Sequence, residues 1–564
     1  MPRTHGVGFC GSCQQRRYQI NETRRMLYAD SEHGGVAVTT IVRQLDLIGN
    51  PFEHYTAETE PNISEYAVRP PYLQSISERA RTLSSFILFG NRGAGKSATR
   101  ITVFNELWKN NANKEVRTRP FVVNMTDFSS LQAGFKSNKL TDRDIVAATA
   151  FYVVEQILVW LSSLEDEDRA IYVDGLNKSE TQLAYALIKG FYLSVTEMDR
   201  QVSTVEALKL LNSAWYTQSA VWLTKRWDAL SAIIAAAVST FSKKEIGEGM
   251  DISAPAEALL KSLTGSSAST SRAILAKLTE LARAFGFSGV CVLVDKIDET
   301  PNTANSAEAT ARLVHPLLSH IQLLEVEGFA WIMFIWNNVQ GHFDSKIPVR
   351  LDKIAHANIT WNNAALSEMV ENRMKFFSNG RCGFSDLFEP GLNAERVFDA
   401  LVAMAVSSPR ELIKLLDIVI REHDSRQGHH SSLIDQESLE LGQDKYAKET
   451  ISTWFKVKPL QQVLRLGKAS FVNRDVQTIF RITDQGARVR INGWEDAGLV
   501  RQSGTAPSEL GGKPVNRYII ADARVERIVT RRLDSTVGTG AADGEEEQED
   551  GENVAEQSRS GSAD

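Results

Sequence analysis

At residues 90–97, between a short apolar run (SFILF, 85–89) and a stretch of helical pattern, the chain reads GNRGAGKS. A turn of the form G-x-x-x-x-G-K-S in that context constrains the fold more than any other feature. Strand, glycine loop and helix in this order aim backbone N–H groups and a helix N-terminus at one point, which is how a polyphosphate is held. Gly90, Gly93 and Gly95 permit the loop. Asn91, Arg92, Ala94 and Ala98 complete the cradle, Lys96 reaches for the β- and γ-phosphates, and the Ser97 hydroxyl suits a magnesium ion. Bound ATP with Mg2+ is the expectation.

The chain around the loop alternates buried-strand runs (FVVN, 121–124; GVCVLV, 289–294; FAWIMFIW, 329–336) with helical stretches near 271–285 and 307–324. Such alternation predicts an α/β fold on a parallel sheet. The expected division is a poorly ordered arm (1–44), a first part of the core (45–141) and a large helical insertion (142–263). The second part of the core (264–362), a helical lid (363–450), a winged helix-turn-helix (454–533) and a disordered acidic tail (535–564) follow. Prolines at 51, 61, 70 and 71 suggest an extended segment leading into the loop.

Among the 564 residues, 43% are hydrophobic and 24% charged, a globular composition. Apolar windows such as LSAIIAAAV (230–238) fall short of the roughly 20 residues that span a bilayer, so no membrane partner is expected. The N-terminus lacks an apolar signal region, which places the chain in the cytoplasm. Of four cysteines, Cys10 and Cys13 have the spacing of half a zinc site, but no second pair follows at finger spacing.

Magnesium needs an acidic partner at the end of a buried strand beside the loop strand, and CVLVDKIDET offers Asp295. Asp298 and Glu299 follow within a turn; either can orient or deprotonate a water, or both can cap the next helix. Asn337, at the tip of FIWNN, suits a γ-phosphate sensor or an ordinary strand end. Arg410 in SSPREL is placed to touch phosphate from the lid. Arg350 in VRLDK is a candidate arginine finger toward a neighbouring subunit, with a surface salt bridge as its alternative. No LSGGQ occurs, and NKSE at 177–180 is not a guanine-specificity motif.

Taken together, GNRGAGKS, VLVDKIDE, IWNN and SPREL resemble the AAA+ and STAND superfamilies of P-loop ATPases, over about residues 50–533. DKIDE is similar to the D-G-x-D-E of NACHT-type proteins, while the sensor, lid and C-terminal pattern look like origin-recognition initiators. NPFEHYTAETEP (50–61) with PPYL looks like a group of bacterial P-loop ATPases. The resemblance implies Walker A roles for Lys96 and Ser97, Walker B for Asp295, sensor 1 for Asn337 and sensor 2 for Arg410. Most AAA+ members carry Glu after the magnesium Asp; Lys296 stands here, so hydrolysis must fall to Asp298 or Glu299 or be slow, which favours a switch over a fast motor.

From 454 to 533 there are 15 Lys and Arg against 7 Asp and Glu, a local charge of +8 in a chain of −7. A basic island of this kind is an electrostatic footprint for nucleic acid. Two functions stand: an ATPase acting on DNA through the winged helix, and an NTP-dependent signalling or defence switch in which the winged helix is an internal module. Self-association or a partner protein is expected in either case. The tail from 535 onward carries nine acidic residues and one arginine, opposite in sign to the basic domain.

Overall fold

The computed structural model describes residues 40–534, except 109–118, 427–432, 508–513, most of 201–269 and positions 61, 70, 198, 305 and 345. The arm with Cys10 and Cys13, much of the expected insertion, the tip of the expected wing and the acidic tail lie outside the described residues.

Five runs make the main sheet: β1 (Phe86–Gly90), β2 (Phe121–Met125), β3 (Val290–Val294), β4 (Phe329–Trp336) and β5 (His356–Asn358). All pairings are parallel and the order is β2-β3-β4-β1-β5. Strands β1 to β3 are buried at every position, because helices cover both faces of a parallel sheet. The fold is thus α/β on a parallel sheet with a phosphate loop after β1. One expectation is corrected. Asp295 does not end a strand beside the loop strand, because β4 lies between β1 and β3. Strand β5 carried no sequence signal, being three residues of edge strand held by register with Ile87, Leu88 and Phe89.

The longest apolar segment is not 230–238 but helix Asp142–Ser163, by length and composition apolar enough to cross a membrane. Within the protein 89% of its most apolar window is buried. Thr141 caps it through a capping box with Asp144. Its length runs along β2 and helix Thr270–Ala284, and the Trp160 ring meets Phe121 and Phe287. The segment therefore belongs to the same hydrophobic core as the sheet. Proline did not keep 50–81 extended throughout: Pro71 opens helix Pro71–Arg81, where its missing N–H costs nothing.

A second core unites the region after the sheet. Leu366, Phe398, Leu412 and Leu416 from helices Asn363–Phe377, Ala394–Met404 and Pro409–Ser425 share one apolar cluster with Leu460, Trp494 and Val525 further on. Helices Val457–Leu466, Asn473–Phe480 and Asp484–Asp496 pack with an antiparallel sheet of order β6-β8-β7, in which β6 (Ser470–Val472) follows the first helix and β7 (Val500–Ala506) and β8 (Val515–Ile520) follow the third. A final helix, Ala523–Arg531, packs on helix Gln436–Trp454. The phosphate loop faces the first turn of Pro409–Ser425, so the two cores meet at the candidate site.

Candidate nucleotide site

The loop's geometry follows from its glycines, though not from all three alike. Gly93 and Gly95 have φ of +76° and +90°, the left-handed region that only glycine enters without strain. A Cβ on Gly93 would lie 2.9 Å from both Arg410 Cβ and Ser408 Oγ, so this glycine also lets the start of helix Pro409–Ser425 approach the loop. Gly90 has no positive φ; it ends β1, and a Cβ there would lie 2.8 Å from Ile359 Cδ1. Its demand is packing, not phosphate approach.

Lys96 begins helix Lys96–Trp108 and is buried. Its ammonium donates to the carbonyls of Gly90 at 3.0 Å and Asn91 at 3.3 Å. Burial lowers its pKa, and Asp298, Asp295 and Glu299 oppose that shift. The Trp361 indole N–H donates to the Ala94 carbonyl at 2.9 Å, and the Arg410 N–H donates to the Gly93 carbonyl at 3.4 Å. The loop is thus held by its own lysine, by the hinge into the lid, and by the lid's first turn.

The three candidate acids differ in their surroundings. Asp295 is buried; its Oδ2 accepts from Arg100 Nε at 3.1 Å and its Oδ1 from the Lys296 N–H at 2.9 Å. Asp298 is buried and held by Arg92, whose Nε donates to Oδ2 at 3.1 Å and whose guanidinium lies 4.7 Å from the centre of the Trp336 ring. Among the described residues no ion pair holds Glu299, which lines the cleft; partial burial, and then the charges of Asp298 and Asp295 against the pull of Lys296, leave its pKa raised. Lys296 itself has φ +65°, at the position where the D-G-x-D-E pattern has glycine.

These groups line a cleft of about 1100 Å³, counting its open mouth. Its other wall is apolar and aromatic: Ile63, Tyr66, Val68 and Tyr72 from the segment before the loop, with Met369 and Ile413 from the lid. A cleft with several charged groups beside aromatic and aliphatic side chains suits a nucleotide. Of the sequence candidates, Arg92, Gly93, Gly95, Lys96, Ser97, Ala98, Asp295, Asp298, Glu299 and Arg410 line it. Asn337 does not; its Oδ1 accepts from Gln340 at 2.6 Å, beyond the tip of β4. Arg350 lies on the surface in a two-pronged pair with Asp352, at 2.8 Å for each bond.

Sequence reasoning missed Arg100, Glu58, Glu60 and Arg373. Arg100 is four residues after Lys96, a spacing that puts both on one helix face, and this was the available signal. Besides Asp295 it binds Asn124 Oδ1 at 2.9 Å and Glu58 Oε1 at 3.2 Å. Burial works against ionised Glu58, but Lys296 and Arg100 hold its carboxyl below the ordinary range. Glu60 and Arg373, both buried, form a two-pronged pair at 2.8 and 2.9 Å.

ATP and Mg2+ fit these residues. The left-handed backbone at Gly93 and Gly95 and the buried ammonium suit a polyphosphate, while Ser97 and Asp295 offer oxygen donors of the kind magnesium takes.

No family model matches this chain, and no curated protein does. Among solved structures it is similar to the Aeropyrum pernix ORC2 protein in ADPNP–ADP complexes, with 10% identity over 84% of this chain and 98% of that one, at a TM-score of 0.37. The ADP form of the same protein gives 10% identity, 85% and 99% coverage and a TM-score of 0.35. Drosophila ORC bound to DNA gives 11% identity, 93% and 100% coverage and a TM-score of 0.30.

Proposed function

We propose that this chain is an ATP-binding, slowly hydrolysing P-loop ATPase of AAA+/STAND type that works on or with DNA through a C-terminal winged helix. The observation that carries the ATPase reading is the convergence of Lys96, Asp295, Glu299 and Arg410 on one cleft from three separate stretches of the chain. Magnesium, when bound, would neutralise charge developing between the β- and γ-phosphates. Lys96 and the loop's N–H groups bind the phosphates, and Ser97 with Asp295 would hold the ion. Arg410 brings a lid cation to the same place.

Glu299 is the general base in this reading. Asp298 is committed to Arg92, whereas Glu299 faces the cleft with a raised proton affinity, which suits proton abstraction. Hydrolysis is slow because Lys296 occupies the position next to Asp295. Glu299→Gln is expected to cut phosphate release roughly a hundredfold or more while ATP still binds. A base must be ionised, and this carboxyl's pKa is raised. Turnover in the parent should therefore fall with acidity already above the ordinary carboxylate range. Equal phosphate release in parent and variant would move the role to another group.

The DNA reading rests on helices Asn473–Phe480 and Asp484–Asp496 followed by the β7–β8 hairpin, the element order of a winged helix. The +8 of this region overstates its free charge, because Arg527 and Arg531 pair with Glu440 and Asp444 of helix Gln436–Trp454, outside the counted window. Arg524, Lys468 and Arg488 pair with Asp522, Asp475 and Asp484 inside the window, where the sum already nets them out. Arg501 and Arg517 remain exposed on the hairpin and are two of the cations that would meet phosphate. Converting both to alanine should lower the slope of log affinity against log salt by about 2 on duplex DNA. An unchanged slope removes the hairpin from the interface.

The second reading, an NTP-dependent switch with an internal winged helix, is favoured by the shared core of lid and C-terminal region. Glu411, next to Arg410, accepts from the buried Tyr446 hydroxyl at 2.7 Å, and buried Arg524 contributes to the field at Tyr446. A gel shift on nonspecific duplex DNA with and without ATP separates the two: a switch of this kind binds none.

A further inference from the structure

Segment NPFEHYTAETEP (50–61) has no part in the function proposed above, yet it enters the cleft. Asn50 donates to Asp417 of the lid at 2.7 Å, Tyr55 also bonds Asp417, and Glu60 holds Arg373. Between these anchors Glu58 reaches the acidic end of the site. Its Oε1 is 3.1 Å from Lys296 Nζ and 3.2 Å from Arg100 Nη2.

Both cations adjoin Asp295. Arg100 donates to its Oδ2, and Lys296 is the next residue, bent back by its left-handed backbone. Asp295, Glu58, Arg100 and Lys296 balance to zero charge. Without the Glu58 charge they sum to +1 beside the expected ion, and the Lys296 ammonium loses its partner. Glu299 already feels that ammonium and Asp295 is the residue before it, so without Glu58 its charge would compete at these carboxylates with a divalent cation. Glu58 is itself shared by two cations, which makes it a poor metal ligand.

We infer that Glu58 is a positioning residue for magnesium: it draws the Lys296 ammonium aside and keeps Asp295 available to the ion. The inference rests on the ATP-site reading above. Its sequence signal is a lysine where the usual Walker B neighbour is an acid, with the acid supplied instead from a strap some 240 residues earlier in the chain.

The test titrates magnesium into the full-length protein with a fluorescent ATP analogue and reads bound analogue, with a melting curve as control of folding. Glu58→Gln should raise the half-saturating magnesium concentration about tenfold. Binding of the analogue in EDTA should be unaltered. Lys296→Ala should need no more magnesium than the parent, and Glu58→Gln with Lys296→Ala should return to near the parent value. An unchanged requirement in Glu58→Gln overturns the inference. So does a double variant that stays as deficient as the single one, the result for a Glu58 that ligates the ion or merely seats the strap. A parent that binds no analogue removes the ATP site itself, and this role with it.

Discussion

Replacing Lys96 with alanine is expected to weaken ATP binding on the order of a hundredfold or more, the largest loss from any single change in the cleft. The ammonium is buried against the loop, bonded to the carbonyls of Gly90 and Asn91. It faces Asp295, Asp298 and Glu299, whose charges oppose the drop in its pKa. Remove it and a polyphosphate arriving at the loop meets three carboxylates with less than the compensating charge. Its bonds in the structure are confined to its own loop, so the melting temperature should fall only slightly. Titration with a fluorescent ATP analogue decides the matter, and parent-like affinity would refute the site.

What the sequence made legible was the part governed by short-range chemistry. The strand–loop–helix around Gly90–Ser97 and the buried runs of β2, β3 and β4 stand where local pattern put them. Sheet order was not legible, because which strands neighbour depends on how crossovers pack; β4 between β1 and β3 has no local signature. The choice between Asp298 and Glu299 needed the third dimension too. Arg92 reaches Asp298 across 206 positions of chain, and that contact makes the two acids chemically different. Gly90, read as a loop glycine, ends β1, and the contact that demands glycine there is with Ile359, far downstream and without a local signature.

Ion pairs of long reach were the largest omission. Glu58 and Glu60 sit in a proline-bounded stretch with no periodicity, so nothing local marks them as partners of distant cations. Arg100 and Arg373 lie on helices whose patterns only say which face points inward. Asn337 shows the reverse case, a residue with a suggestive place in sequence that lies outside the lining of the cleft, its Oδ1 accepting from Gln340. Arg350, read as a finger toward a neighbouring subunit, lies on the surface paired with Asp352.

The Glu60–Arg373 pair is the second place where a large effect is expected. Both side chains are buried, Arg373 also donates to the Pro51 carbonyl at 2.8 Å, and its guanidinium lies 5.6 Å from the centre of the Tyr66 ring. Arg373→Met would leave a buried carboxylate with the Tyr66 hydroxyl as its remaining side-chain partner, at a cost of about 3–5 kcal/mol. Deleting both charges, as Glu60→Met with Arg373→Met, removes the orphan and should recover most of that loss, since a well-packed apolar pair replaces an ion pair at little cost. The single variant has a pH signature with a definite sign. An orphaned buried carboxyl has its folded pKa raised above the unfolded value, so its penalty is present above the folded pKa and fades as pH falls through it. Urea unfolding of the parent, single and double variants at neutral and mildly acid pH measures all of this. A single variant within about 1 kcal/mol of the parent at neutral pH would mean that the strap is not fastened to the lid by this pair.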